Sequence, residues 1–196
     1  MRNFFVYLIA GLFIFVPVSA MGAVWDIDVA HTNVEFKVKH LMITNVKGNF
    51  DSFSGTLSTE GDDLSTGKLD VTIQVASIDT DNQQRDDHLR SADFFDAQKY
   101  PTMTFVSKKF IADGDMVKQI VGDLTIRDVT REVTLAVEEQ SQVVKGPWGK
   151  TRRGATATTT INRFDYGLAW NKLMETGGLV VGEDIRITLE VELIKR

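Results

Sequence analysis

The side chains best able to do chemistry are few and far apart. His31, His40 and His88 are the only imidazoles, and the chain has no cysteine. No two histidines have the close spacing that places both on one zinc ion. Without thiols, disulfides, iron–sulfur clusters and thiolate zinc sites are excluded. Adjacent carboxylates occur at Asp62-Asp63, Asp86-Asp87 and Glu183-Asp184, in turn-like contexts where solvation explains them. There is no Gly-x-Ser-x-Gly elbow and no glycine-rich phosphate loop. The expectation is a protein with no catalytic residues, no metal and no cofactor. One segment stands out. The polar run from Arg85 to Asp96 ends in Phe94-Phe95-Asp96 and is followed by Lys99-Tyr100-Pro101. It reads as a cap in which Phe94 or Phe95 plugs a core, or as a lid with Arg85, His88 and Arg90 beside a ligand head group.

The elements that must hold these residues are strands. Val34, Phe36, Val38 and His40 share one parity, and Glu35, Lys37 and Lys39 the other. Such alternation describes a strand with one dry and one wet face. It recurs at Leu69, Val71, Ile73 and Val75, at Val133, Leu135 and Val137, and from Ile185 through Leu193. Further strands are expected at about 46–59, 102–111, 115–126 and 150–162. In the first of these the apolar parity changes between Val46, Gly48, Phe50 and Phe53, Gly55, Leu57, so a bulge is expected near Asp51-Ser52. Asp113-Gly114 signals a tight hairpin. Short helix is expected over Asn82 to Ala92, with another turn or two over Gly167 to Glu175.

Roughly eight antiparallel strands, each dry on one face, must cover that face. Closure into a barrel does so and removes the exposed edges, with a sandwich as the alternative. Small residues on inward parity, Gly122 on one strand and Ala155 and Ala157 on another, would leave room along the axis. Arg153 and Arg163 fall at the two ends of an apolar face, where each could meet a polar head group or a structural acid. His40 falls on inward parity as well.

The N-terminus reads as an export signal. Arg2 precedes a nearly unbroken apolar run from Phe4 to Val18, and Val18-Ser19-Ala20 fits a cleavage site, with Ala23 as a second. The expected organisation is a signal peptide over 1–20 and one barrel domain over 24–196, exported beyond the inner membrane. The formal net charge of −5 supplies no bulk field for nucleic acid.

Ordered motifs along the chain resemble the YceI-like family. They are His31-Thr32-Asn33-Val34-Glu35-Phe36, Asp86-Asp87-His88-Leu89-Arg90-Ser91-Ala92-Asp93-Phe94-Phe95-Asp96, and Tyr100-Pro101-Thr102-Met103-Thr104-Phe105. Gly122-Asp123-Leu124-Thr125-Ile126, Arg163-Phe164-Asp165-Tyr166-Gly167 and Val181-Gly182-Glu183-Asp184-Ile185 complete the set. Asp128 departs from the family's frequent glycine and puts one hairpin turn in question. The resemblance implies an all-β, extended, eight-stranded antiparallel lipocalin-like barrel. It also implies an elongated cavity for a polyisoprenoid, an isoprenoid quinone or another amphipathic lipid, in a periplasmic or secreted protein. Candidate ligand-binding residues are Phe36, Val38, His40, Phe50, Val71, Ile73, Phe94, Phe105, Gly122, Leu124, Leu135, Ala155, Ala157, Arg163, Ile187 and Leu189. Transient membrane contact and pairing of two barrels into a homodimer are further expectations, and the alternative readings are an enzyme acting on the bound lipid or a filled barrel serving as an interaction module.

Overall fold

The computed structural model describes residues 22–61, 63–172 and 179–196. The expected signal peptide lies outside the described residues. Alternating sequence gives twelve strands: β1 (Ala23–Ile27), β2 (Asn33–His40), β3 (Thr44–Phe50), β4 (Phe53–Glu60), β5 (Asp63–Gln74), β6 (Ile78–Asp79), β7 (Thr102–Asp113), β8 (Met116–Ile126), β9 (Val129–Gln140), β10 (Val144–Lys145), β11 (Thr151–Asn162) and β12 (Val181–Lys195). Pairing runs β1–β4–β5–β7–β8–β9–β11–β12 and returns from β12 to β1, every pair antiparallel. That circuit is a closed eight-stranded barrel, as expected.

The extra strands come from interruptions. β1 and β2 are separated by a 3₁₀ turn at Val29–His31, β5 and β6 by another at Val75–Ser77, and β3 and β4 by Asp51-Ser52. β2 pairs with β3 and β12, and β3 with β6, so each interrupted strand continues beside its neighbour. The breaks are tied together. The Asp51 amide donates to the Ser77 carbonyl at 3.2 Å, the Ser52 amide to Ser77 Oγ at 3.0 Å, and the Gln74 amide to the Ser52 carbonyl at 2.8 Å. The parity change at Asp51-Ser52 is therefore a complete interruption rather than a single-residue bulge. It lets the sheet bend while the apolar face stays inward.

Among the described residues one α-helix forms, α1 (Gln83–Arg90), beside β6 at one end of the barrel. Asn82 caps it by accepting the Arg85 amide at 3.0 Å. The second stretch expected to be helical differs. Residues 167–172 are not helical, 173–175 lie outside the described residues, and a 3₁₀ turn forms just earlier, at Arg163–Tyr166. Asp128 does not disturb its hairpin. In the β8–β9 turn the positive φ, 58°, falls on Arg127, so glycine is not demanded at 128.

Burial is densest near the two ends. Val75, Ile78 and Tyr166 are almost fully buried toward the α1 end, in a large cluster with Phe50, Phe105 and Leu124. Trp25 leads a second cluster with Leu57, Phe110, Val117 and Leu193 toward the opposite end.

Candidate functional site

A cavity of about 270 Å³ runs inside the barrel, walled from the α1 end (Phe94, Leu168) to the opposite end (Phe110, Val117). Its wall is built by inward parity. β2 supplies Val34, Phe36 and Val38, and β5 supplies Leu69, Val71 and Ile73. β9 supplies Val133, Leu135 and Val137, and β12 supplies Ile185 through Leu193 at alternate positions. β11 contributes Ala155, Ala157, Thr159 and Ile161, the low stretch of wall. A cavity with this apolar wall offers water few hydrogen-bond partners, so it favours an apolar occupant.

Of the sequence candidates, Phe36, Val38, Phe50, Val71, Ile73, Phe94, Phe105, Leu124, Leu135, Ala155, Ala157, Arg163, Ile187 and Leu189 all line this cavity. Two do not. His40 is half-buried and stands off the wall, at the end of β2. Gly122 leaves no room for ligand. A Cβ there would lie 2.5 Å from Phe105 Cζ and 2.6 Å from the Val106 carbonyl oxygen, so the missing side chain makes space for the Phe105 ring. Phe53, Leu57, Met103 and Phe95 join the wall without having been candidates. Their parity on β4 and β7 carries the signal for the first three.

The polar groups near the wall are committed to the fold. Arg163 is 2% exposed. It donates to the carbonyls of Gly182 at 2.8 Å, Trp170 at 2.9 Å and Val181 at 3.2 Å, and to that of Leu168. Burial lowers its pKa, against the opposing charge of Glu183. Of the two partners expected for Arg163, a head group or a structural acid, the described residues supply neither: four carbonyl contacts pin the Arg163–Trp170 segment to β12. Arg153, at the other end, holds its guanidinium 5.5 Å from the ring centre of Trp25.

The lid residues behave likewise. Arg85 donates to Thr80 Oγ1 at 2.7 Å and to the Thr80 carbonyl at 2.6 Å. Arg90 donates to the carbonyls of Ala76 at 2.8 Å and Ile78 at 2.6 Å. Buried Asp86 accepts from the Thr80 amide at 3.0 Å and its hydroxyl at 2.5 Å. His88 meets Asp93 at 2.9 Å and stacks edge-on against Phe94 and Trp170, each at 5.0 Å. These contacts clamp α1 over the barrel end. Phe94 and Phe95 then hang into the cavity, and Phe95 meets Phe50 edge-on at 6.0 Å.

Glu35 is the one carboxylate on the described wall, and no histidine or second carboxylate joins it. The Asp28, His31 and Glu192 side chains do converge, outside the cavity. Arg152 occupies their focus, donating to Asp28 at 2.5 Å and to Glu192. The His31 hydrogen bond, then that of Arg152, holds the Asp28 carboxyl below the usual carboxylate range.

A closed antiparallel barrel, bent by aligned strand breaks and hollow along an apolar axis, defines a lipocalin-like architecture. The chain belongs to the YceI-like domain family, which it matches over residues 25–193. A UPF0312 protein of Staphylococcus aureus strain MSSA476 is 41% identical over 166 residues, 84% of this chain and 94% of that protein. The YCEI protein of Campylobacter jejuni has a crystal structure that superposes with a TM-score of 0.69 at 40% identity, over 86% of this chain and 96% of that one. A polyisoprenoid binding domain from Saccharophagus degradans shares the fold, with a TM-score of 0.62 at 15% identity over 88% of this chain and 98% of that one.

Proposed function

We propose that this protein binds one long-chain amphipathic lipid, a polyisoprenoid or an isoprenoid quinone, inside the barrel and carries, stores or sequesters it. The observation that carries this reading is the continuous apolar cavity reaching from Phe94 to Phe110. Burying an isoprenoid tail there contributes roughly 0.8 kcal/mol per carbon, less the cost of ordering the chain. A neighbour of the same fold is a polyisoprenoid binding domain, which agrees in ligand class.

Binding rather than catalysis fits the wall, because its buried arginine is engaged by four backbone carbonyls and its single carboxylate, Glu35, meets Lys47 at 3.8 Å with no histidine or second carboxylate on the described wall. The apolar run Phe4–Val18 with its cleavage chemistry supports action beyond the inner membrane, in the periplasm or after secretion. The test is mass spectrometry of organic extracts from protein purified without detergent. A stoichiometric isoprenoid-type lipid is the expected result. Repeated extraction of none, combined with no uptake of an added long-chain isoprenoid quinone, overturns the reading.

A further inference from the structure

The barrel end opposite α1 carries a feature that lipid storage does not require. Between β10 and β11 the chain reads Lys145-Gly146-Pro147-Trp148-Gly149-Lys150. Trp148 is 85% exposed, the most exposed of the large apolar side chains described, and Val143 and Val144 beside it are about half exposed. A lone indole held into water by a hairpin does nothing for the core. Indoles do concentrate at the boundary between water and lipid, where the ring is apolar and its N–H stays hydrated.

The charge around Trp148 is opposite to that of the whole chain. From Ser141 to Phe164 there is no acidic residue, while Lys145, Lys150, Arg152 and Arg153 are basic. Three acids of this end are already engaged, Asp28 and Glu192 by Arg152 and Asp26 by Arg196 at 2.7 Å, while Glu139 and Glu190 lie further along β11, opposite Thr156. Lys145 and Lys150, both exposed, form no ion pair among the described residues. Acidic residues Glu60, Asp63, Asp113 and Asp115 stand at the same barrel end, away from the β10–β11 hairpin.

The register adds an independent observation. Trp25 pairs with Lys195 and Arg152 with Ile194, so β1 begins at this same end. The apolar run Phe4–Val18 therefore joins the barrel on the side where Trp148 projects.

We infer that the β10–β11 hairpin is a docking loop for an anionic phospholipid surface, with Trp148 entering the head-group region and Lys145 and Lys150 meeting lipid phosphates. Such loops combine modest apolar insertion with attraction to anionic lipid, and neither suffices alone. This surface is separate from the cavity wall, since none of Lys145, Trp148 and Lys150 lines it. Lipid content of the cavity and vesicle binding are therefore independent readouts.

The test uses the exported chain, its N-terminus read by intact mass, sedimented with phosphatidylglycerol–phosphatidylcholine vesicles and with phosphatidylcholine vesicles. Wild type should sediment with the anionic vesicles and shift its tryptophan emission to the blue. Trp148→Ala should weaken binding at least tenfold, and the pair Lys145→Glu with Lys150→Glu should remove the preference for anionic lipid. Trp148→Phe should keep most of the binding and lose the blue shift, which assigns the shift to Trp148 rather than Trp25 or Trp170. Unchanged binding in Trp148→Ala, or emission from Trp148 that stays that of water, overturns the inference. So does concentration-dependent dimerisation that Trp148→Ala abolishes while wild type ignores vesicles, because the patch would then join two copies.

Discussion

Enlarging Ala157 should stabilise the empty protein and weaken its hold on lipid at the same time. Ala157 sits mid-strand on β11 between Leu189 and Val137, is 7% exposed, and faces the cavity. Ala157→Leu adds three carbons to an apolar-walled void. At about 0.8 kcal/mol per carbon the gain is about 2.4 kcal/mol. The whole cavity, at about 24 cal/mol per Å³ over 270 Å³, represents about 6 kcal/mol of unrealised packing, so the void can absorb that increment. For a domain of this size the lipid-free Tm should rise by roughly 5–10 °C. The same three carbons are denied to the ligand, and about 2.4 kcal/mol is roughly a fiftyfold loss of affinity. Differential scanning calorimetry of delipidated protein gives the first number. Titration with a long-chain isoprenoid quinone gives the second. A variant that melts higher but binds the quinone as tightly as wild type refutes the assignment of the cavity as ligand space. A variant that melts lower shows that Ala157 faces packed side chains.

Further outcomes follow from the same geometry. Gly122→Ala should cost about 1–3 kcal/mol in urea unfolding, because its Cβ meets the Phe105 ring and the Val106 carbonyl, and Phe105→Leu in the same chain should restore part of the loss. Arg163→Met should cost at least about 3 kcal/mol by leaving buried carbonyls without donors, while protein that remains folded keeps its lipid; lipid loss without destabilisation would reinstate a head-group role. Tyr166 is almost fully buried, its hydroxyl has no partner among the described residues, and burial pushes its pKa up to about 12. Its folded pKa lies above the unfolded value of 10.0, so the unfolded chain ionises first and stability falls as pH rises from 10 to 12, by about 3 kcal/mol in all. Tyr166→Phe should flatten that alkaline limb without loss at neutral pH, as followed by urea titration across the range. At the acid side the sign reverses. Asp28 is lowered by His31 and Arg152, so its stabilising contribution is complete above the ordinary Asp value of 3.8 and is lost as pH falls through the folded value. Arg152→Gln should make acid unfolding measurably less steep.

The strands were legible because each carries one dry face, and parity selects most wall residues of β2, β5, β9, β11 and β12, with Glu35, Leu64 and Gly154 as exceptions. The change of parity at Asp51-Ser52 was legible for the same reason, although its depth was not: a full break needs the neighbouring turn at Val75–Ser77, which pairing in space supplies. Gly122 misled because a glycine on an inward face reads as empty space, while the ring that occupies it comes from Phe105 on the adjacent strand. Arg163 stayed open between a head group and a structural acid because its partners are backbone carbonyls from two segments, and carbonyls leave no mark in residue types. The arginines flanking His88 were hidden in the same way, donating to carbonyls of Ala76, Ile78 and Thr80 rather than to a ligand. Side-chain pattern thus reports which face is dry. It does not report what fills the space behind it.

The central claim, that the barrel holds a long apolar chain, is tested most directly by a high-resolution crystal structure of protein purified without detergent or added lipid. The account predicts continuous unbranched or methyl-branched density threading the cavity past Ala155 and Ala157, from Phe94 toward Phe110. A cavity closed by Phe36, Phe50 and Phe105, or one holding only ordered water, would contradict it.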